Sequence, residues 1–222
     1  KLKKKIIFLL DKKNNWLEKY ILKNSFHVIK KNYDLKIKYK LDINEKAEIL
    51  FLLGFTSKFK ILKYKKIKNF FLIHESNLPK GRGWSPVKYQ VLENKNKIKC
   101  CLISCRDPID SGDIYESETL IIKKTDLYDE IKKKQYKVTI NLISRLLKKY
   151  PKINSKKQLG KPTWYKKLSS ESDKLNINES ISSQFNKIRS TNYNIHQNYF
   201  YINGEKFYLR ISKKKIIGYD EC

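Results

Sequence analysis

The sequence predicts an α/β protein: a Rossmann-like, mostly parallel sheet with helices on both faces, then a small appendage of one helix and a β-hairpin. Three observations lead there. Lys5 to Leu10 and Ala47 to Phe55 are apolar runs of the kind found in strands buried on both faces. Leu127, Ile131, Val138, Leu142 and Leu146 recur with mostly fourfold spacing, which makes one apolar stripe along a long helix over 125–149. Between these segments, short apolar runs alternate with helical patterns, as strand–helix–strand units do.

In chain order, Lys5 to Leu10 is the first strand, and Asn15 to Leu22 places Trp16, Leu17, Tyr20 and Ile21 at helical spacing. A second strand is expected at His27 to Ile29. Ala47 to Phe55 is the next, broken at Gly54, and Phe70 to Ile73 leads into a Pro/Gly-rich loop. Pro86 to Leu92 reads as a short helix, Ile98 to Ser104 as a strand, and Ile114 to Ile122 as one or two more. Thr125 and Asp126 suit the amino end of the long helix, and Pro151 stops it. Composition then changes. Residues 152–172 are polar, carry a Gly160-Lys161-Pro162 breaker, and read as a connecting loop. Asn178 is the expected cap of a helix bearing Ile181, Phe185 and Ile188. Tyr199 to Ile202, Asn203-Gly204 and Lys206 to Ile211 form a hairpin pattern, because Asn-Gly favours a type I′ turn. The expected division is 1–150 and 151–222. There is no internal repeat, G-x-G-x-x-G or G-x-x-x-x-G-K-[ST] segment.

Bulk composition narrows the function. A 40% apolar share with 13% aromatics supports a real core, and no run of about 18 apolar residues spans a membrane. The amino-terminal lysines and apolar residues resemble a secretion signal, but the run stops at Asp11 without a small-residue cleavage site. A cytoplasmic location is expected. Adjacent Cys100 and Cys101 point to opposite faces of a strand, no C-x-x-C pair occurs, and the three histidines are scattered. That spacing argues for reduced thiols and against a zinc site. The net charge of +28, from 50 basic and 22 acidic residues, raises a nucleic-acid partner. The lysines are spread over the whole chain, however, so solvated faces explain the charge at least as well, while still attracting a polyanionic substrate.

The most informative stretch is His74-Glu-Ser-Asn-Leu-Pro-Lys-Gly-Arg-Gly-Trp-Ser-Pro86. A strand that ends on an imidazole and enters a Pro/Gly loop presents an acid/base group at the carboxyl edge of a sheet, where open α/β folds bind ligands. Asp110-Ser111-Gly112-Asp113 adds a carboxylate on a second turn. Together these segments resemble the formyltransferases that use 10-formyltetrahydrofolate, marked by His-x-Ser-x-Leu-Pro followed by Asp-x-Gly. The resemblance is strongest over about residues 47–125 and makes 1–150 the catalytic part. It implies an N-formyltransferase with folate as co-substrate and no metal. His74 is then the proton carrier, and Asp110 orients the imidazole and stabilises its charged form.

One position departs from the family. An Asn two residues before the His helps bind the developing oxyanion there, whereas Leu72 stands here and cannot donate a hydrogen bond. Losing one such donor costs on the order of 10²–10³ in turnover. Asn77 is the candidate substitute, and Asn69 lies on the other strand face. The resemblance assigns folate to Phe55 and Thr56 and to the loop Arg106, Asp107, Pro108 and Ile109. Lys80, Arg82 and Trp84 are the candidate substrate contacts. Among the acceptors used in this family, the short tail and the loop variant look most like the branch that formylates nucleotide-linked amino sugars in polysaccharide synthesis. A compact methionyl-tRNA formyltransferase is the alternative, and a folate or nucleotide-sugar binding protein with impaired catalysis is a third reading. The hairpin is a candidate homodimer contact.

Overall fold

The computed structural model describes residues 2–11, 16–23, 26–55 and 59–213. Six strands form the central sheet: β1 (Lys4–Leu10), β2 (Tyr33–Lys38), β3 (Ala47–Leu53), β4 (Ile67–His74), β6 (Lys97–Ser104) and β7 (Ile114–Ile121). A short strand β5 (Arg82–Gly83) lies outside it. The sheet order is β2-β1-β3-β4-β6-β7. The β2-β1-β3-β4 half is parallel, and β6 and β7 add antiparallel. This mixed sheet keeps the α/β class and puts the carboxyl ends of four parallel strands, His74 among them, along one edge.

The two faces of the sheet are packed differently. Ile6, Phe8, Ile49, Phe51, Phe71 and Leu102 meet the apolar sides of α1 (Glu18–Leu22), α2 (His27–Asn32), α3 (Pro86–Leu92) and α4 (Tyr128–Lys149). The alternate residues Ile7, Leu9, Leu50 and Leu52 lie under Leu41, Phe59 and Tyr64, beside a 3-10 turn at Ile61–Lys63. Burying a side chain of this size contributes roughly 1.5–3 kcal/mol, so this double-sided core is what holds the site-bearing edge in place.

Two expected elements are corrected. His27–Ile29 is helix, because the parallel β1-to-β2 connection needs a crossover and α2 is part of it. The strand follows at Tyr33–Lys38, where Leu35 alternates with exposed lysine at a sheet edge. The last helix, α5 (Ile181–Arg189), is capped by Ser180, whose Oγ accepts the Ser183 N–H at 3.0 Å, rather than by Asn178. β9 (Asn198–Ile202) and β10 (Glu205–Leu209) pair antiparallel across Asn203-Gly204.

Candidate active site

His74 is the last residue of β4 and is only 5% exposed. Strand alternation puts it on the same face as Leu72, above a small cluster of Leu78, Cys101 and Ile103. The imidazole Nε2 lies 2.7 Å from the Gly81 carbonyl oxygen. A carbonyl only accepts, so Nε2 carries the hydrogen and Nδ1 holds the lone pair in the neutral ring. Nδ1 faces Asp110 Oδ2 at 3.5 Å. A proton arriving at Nδ1 therefore lands beside a carboxylate. The Gly81 carbonyl thus orients the imidazole through Nε2, and the Asp110 carboxylate faces its other nitrogen.

Asp110 is itself held. It is 6% exposed, sits in the left-handed region at φ 58°, and its Oδ2 accepts the Gly83 N–H at 2.9 Å. Aspartate tolerates that backbone conformation better than most residues. The turn around it closes on Ser104, whose N–H donates to the Asp113 carbonyl at 3.1 Å, while the Asp113 N–H donates to Ser104 Oγ at 3.1 Å. A Cβ on Gly112 would lie 1.7 Å from the Ser104 carbonyl oxygen, so the Asp-x-Gly pattern is a packing requirement of this turn.

The polar segment read as a connecting loop runs over the site. Lys156 and Ile114 exchange backbone hydrogen bonds at 2.8 Å. Gln158 Oε1 accepts from Arg82 Nη2 at 2.7 Å, and its Nε2 donates to the Asp110 and Gly112 carbonyls, both at 2.8 Å. Thr163 Oγ1 accepts the Gly81 N–H at 2.8 Å. β8 (Trp164–Tyr165) pairs with Arg82–Gly83, and the Tyr165 ring stacks on Tyr89 at 4.4 Å. Gly83 has φ 99°, and a Cβ there would meet the Tyr165 carbonyl at 2.5 Å. The strap thus fixes the course of the loop that carries Gly81, and Gly81 fixes His74.

The remaining candidates divide. Arg106 to Ile109 form the exposed loop ahead of Asp110, with Arg106 Nη2 3.1 Å from Asp113 Oδ2. Phe55 is half-buried edge-on to Phe59, and Thr56 lies outside the described residues. Lys80 and Asn77 are exposed on the loop, where the Lys80 N–H donates to the Asn77 carbonyl at 3.1 Å. Trp84 is 38% exposed, with the Lys167 ammonium 5.2 Å from its ring centre. Arg82 is a correction: it is buried, bonded to Gln158 and set 5.6 Å from the Trp164 ring, so its charge is spent inside the protein. A buried guanidinium needs such partners. Leu72 is half-buried in apolar packing, and Asn69 bonds to the Glu48 carbonyl and Tyr150 hydroxyl instead. Ser76 Oγ, buried two residues past His74, has no hydrogen-bond partner.

Sequence reasoning missed Gln158, Thr163 and the Gly81 carbonyl. Their signals are a polar side chain in a polar stretch and a backbone atom, neither of which marks a site. Burial raises the thiols of Cys100, Cys101 and Cys105 above their ordinary range, so they are poor nucleophiles. Burial and then Glu93 push the Tyr165 phenol up to about 12. Among the described residues, no three His, Cys, Asp or Glu side chains are grouped to hold a metal ion, and no helix is long and apolar enough to cross a membrane.

This mixed Rossmann-like sheet is similar to the fold of several solved formyltransferases. A methionyl-tRNA formyltransferase structure from Clostridium thermocellum matches it with TM-score 0.75 at 19% identity, covering 97% of this chain and 95% of that one. A sugar N-formyltransferase from Shewanella sp. matches with TM-score 0.64 at 15% identity, covering 96% and 99%. HypX from Aquifex aeolicus, in complex with tetrahydrofolic acid, matches with TM-score 0.73 at 12% identity, covering 95% of this chain and 38% of that one. By sequence, a methionyl-tRNA formyltransferase from Sulfurihydrogenibium sp. is 28% identical over 135 residues, 59% of this chain and 42% of that protein. The chain spans less than two thirds of the length of the curated relatives first in similarity. No family model matches. The chain is thus similar in sequence to methionyl-tRNA formyltransferases and shares the fold of solved formyltransferases.

Proposed function

We propose that this chain transfers a formyl group from 10-formyltetrahydrofolate to the amino group of a nucleotide-linked amino sugar. The observation that carries the reading is the buried His74–Asp110 pair, with Nδ1 facing the carboxylate at 3.5 Å. As the acceptor amine attacks the formyl carbon, Nδ1 takes its proton, Asp110 stabilises the imidazolium, and the proton is returned to the departing folate nitrogen. Folate lies against Phe55, Thr56 and the exposed loop 106–109. Lys80 and Trp84 contact the acceptor, with Arg82 acting from below by shaping the loop. Asn77 is exposed on this loop and is the proposed donor to the oxyanion in place of Leu72. The chain works in the cytoplasm, with the hairpin as a homodimer contact.

The amino-sugar acceptor draws on a solved sugar N-formyltransferase of nearly the same extent. A second reading, a compact methionyl-tRNA formyltransferase, is favoured by specific observations: the curated relatives carry that name, and a structure so named is also of this size. The shortness of the tail therefore does not separate the two.

The test is incubation with 10-formyltetrahydrofolate and, in parallel, amino-sugar nucleotides or aminoacylated tRNA, with mass spectrometry for the gain of one formyl group. Formylated sugar nucleotide is the expected product. Formylated tRNA alone selects the second reading, and folate binding without any transfer leaves a binding protein. His74→Ala is expected to lose roughly 10²–10⁴-fold in turnover while keeping its circular dichroism spectrum. Wild-type turnover in that variant would take His74 out of the mechanism.

A further inference from the structure

We infer that Gln158 is a positioning residue for formyl transfer: its carboxamide holds the Asp110 turn and the His74 loop in one register. This rests on the reading of His74 and Asp110 as the proton-transfer pair. No motif marks the residue, which lies in the polar stretch after the long helix.

The geometry uses both ends of the amide. Oε1 accepts from Arg82 Nε at 3.3 Å and Nη2 at 2.7 Å. Nε2 donates to the carbonyls of Asp110 and Gly112, each at 2.8 Å. Arg82 lies between Gly81, whose carbonyl takes the His74 Nε2 hydrogen, and Gly83, whose N–H donates to Asp110 Oδ2. One side chain therefore bridges the segment that orients the imidazole and the segment that carries its carboxylate. The strap is secured on both sides of it, by Lys156 on Ile114 and by Thr163 on Gly81. Only an amide fits, because the arrangement needs an acceptor facing a guanidinium and two donors facing carbonyls. Among the described residues, the titratable or charged groups near the pair include Cys101 opposite His74 on the neighbouring strand, Cys105 near Asp110 and Arg82 on the loop.

Two substitutions separate the halves of this function. Gln158→Met keeps the length and removes all four bonds, which frees Asp110 to drift from Nδ1. Gln158→Glu keeps acceptance from Arg82 but turns a carboxylate toward two carbonyls and adds negative charge beside the pair. Misplacement of a reacting group by about 1 Å costs on the order of 10²-fold, so kcat is expected to fall 10–100-fold in Gln158→Met with folate KM little changed.

The second readout is the titration of the His74 imidazole by NMR, assigned by its absence in His74→Ala, with His27 and His196 as internal controls. The midpoint is expected to fall in Gln158→Met, as the imidazolium loses its carboxylate, and to rise in Gln158→Glu, as negative charge is added. Opposite signs are the mark of positioning, since general loosening of the fold moves both variants the same way. A His74 midpoint unchanged in both variants, or moved alike in both, overturns the proposal. If the wild type formylates no amine, the proposed function falls, and the imidazole titration still decides whether Gln158 sets the pair.

Discussion

Lys132 shows how one side chain can carry opposing terms. Its ammonium lies 4.4 Å from the centre of the Trp16 ring and bonds to Gln135 Oε1 at 2.9 Å, and Gln135 in turn bonds to Glu75, the neighbour of His74. Burial pushes the amine down to about 8, against the weaker pull of Glu75. A lysine depressed in the folded state contributes stability that is full above its unfolded value of 10.5 and lost as pH falls through about 8. The wild type is thus expected to gain on Lys132→Met as pH rises from about 8 to 10.5, read as the difference in urea midpoints of the two proteins. A difference flat across that window would show that the Trp16 face fully offsets burial. At the same scale, His74 and Asp110 were proposed as a pair from the resemblance their two segments carry, and the structure sets His74 Nδ1 3.5 Å from Asp110 Oδ2. The role of Arg82 was not legible, since a loop arginine reads the same whether it faces solvent or Gln158.

At the scale of elements, the long helix, the strand Ile98–Ser104 and the hairpin were readable because each repeats a pattern: fourfold apolar spacing, a buried run, or Asn-Gly between aromatic segments. β2 was not, because an edge strand with only Leu35 buried carries a weak apolar signal. The helix cap also moved by two residues. Ser180→Ala removes the acceptor for the Ser183 N–H and is expected to cost about 1 kcal/mol, measured by urea denaturation; an unchanged midpoint would mean that α5 unfolds apart from the rest. The strap is the larger lesson. Polar residues 152–172 read as a connection, yet 156–165 bond to the loop after β4 and the turn before β7. We propose that 1–150 form the catalytic part and 151–222 an addition that sets its site through this strap.

For the whole molecule, the charge of +28 bears on the choice of acceptor. So basic a chain is expected to hold RNA at low ionic strength whatever its substrate, through release of counterions. The informative measurement is selectivity: binding that disappears toward ~0.2 M salt, without preference for aminoacylated over uncharged tRNA, supports the amino-sugar reading. A preference that survives the salt supports the tRNA reading.

The sequence by itself determined the α/β class and the order of most elements, because these are local patterns of burial and turn chemistry, and it offered the segments bearing His74 and Asp110 through their resemblance to a known motif. Only the tertiary structure decided which atoms meet. It turned Nδ1 toward the carboxylate by giving Nε2 to the Gly81 carbonyl, withdrew Arg82 from solvent, and brought in Gln158 from 48 residues beyond Asp110. Those outcomes depend on hydrogen bonds to backbone atoms and on close passage of distant segments, and neither leaves a mark in residue type or spacing.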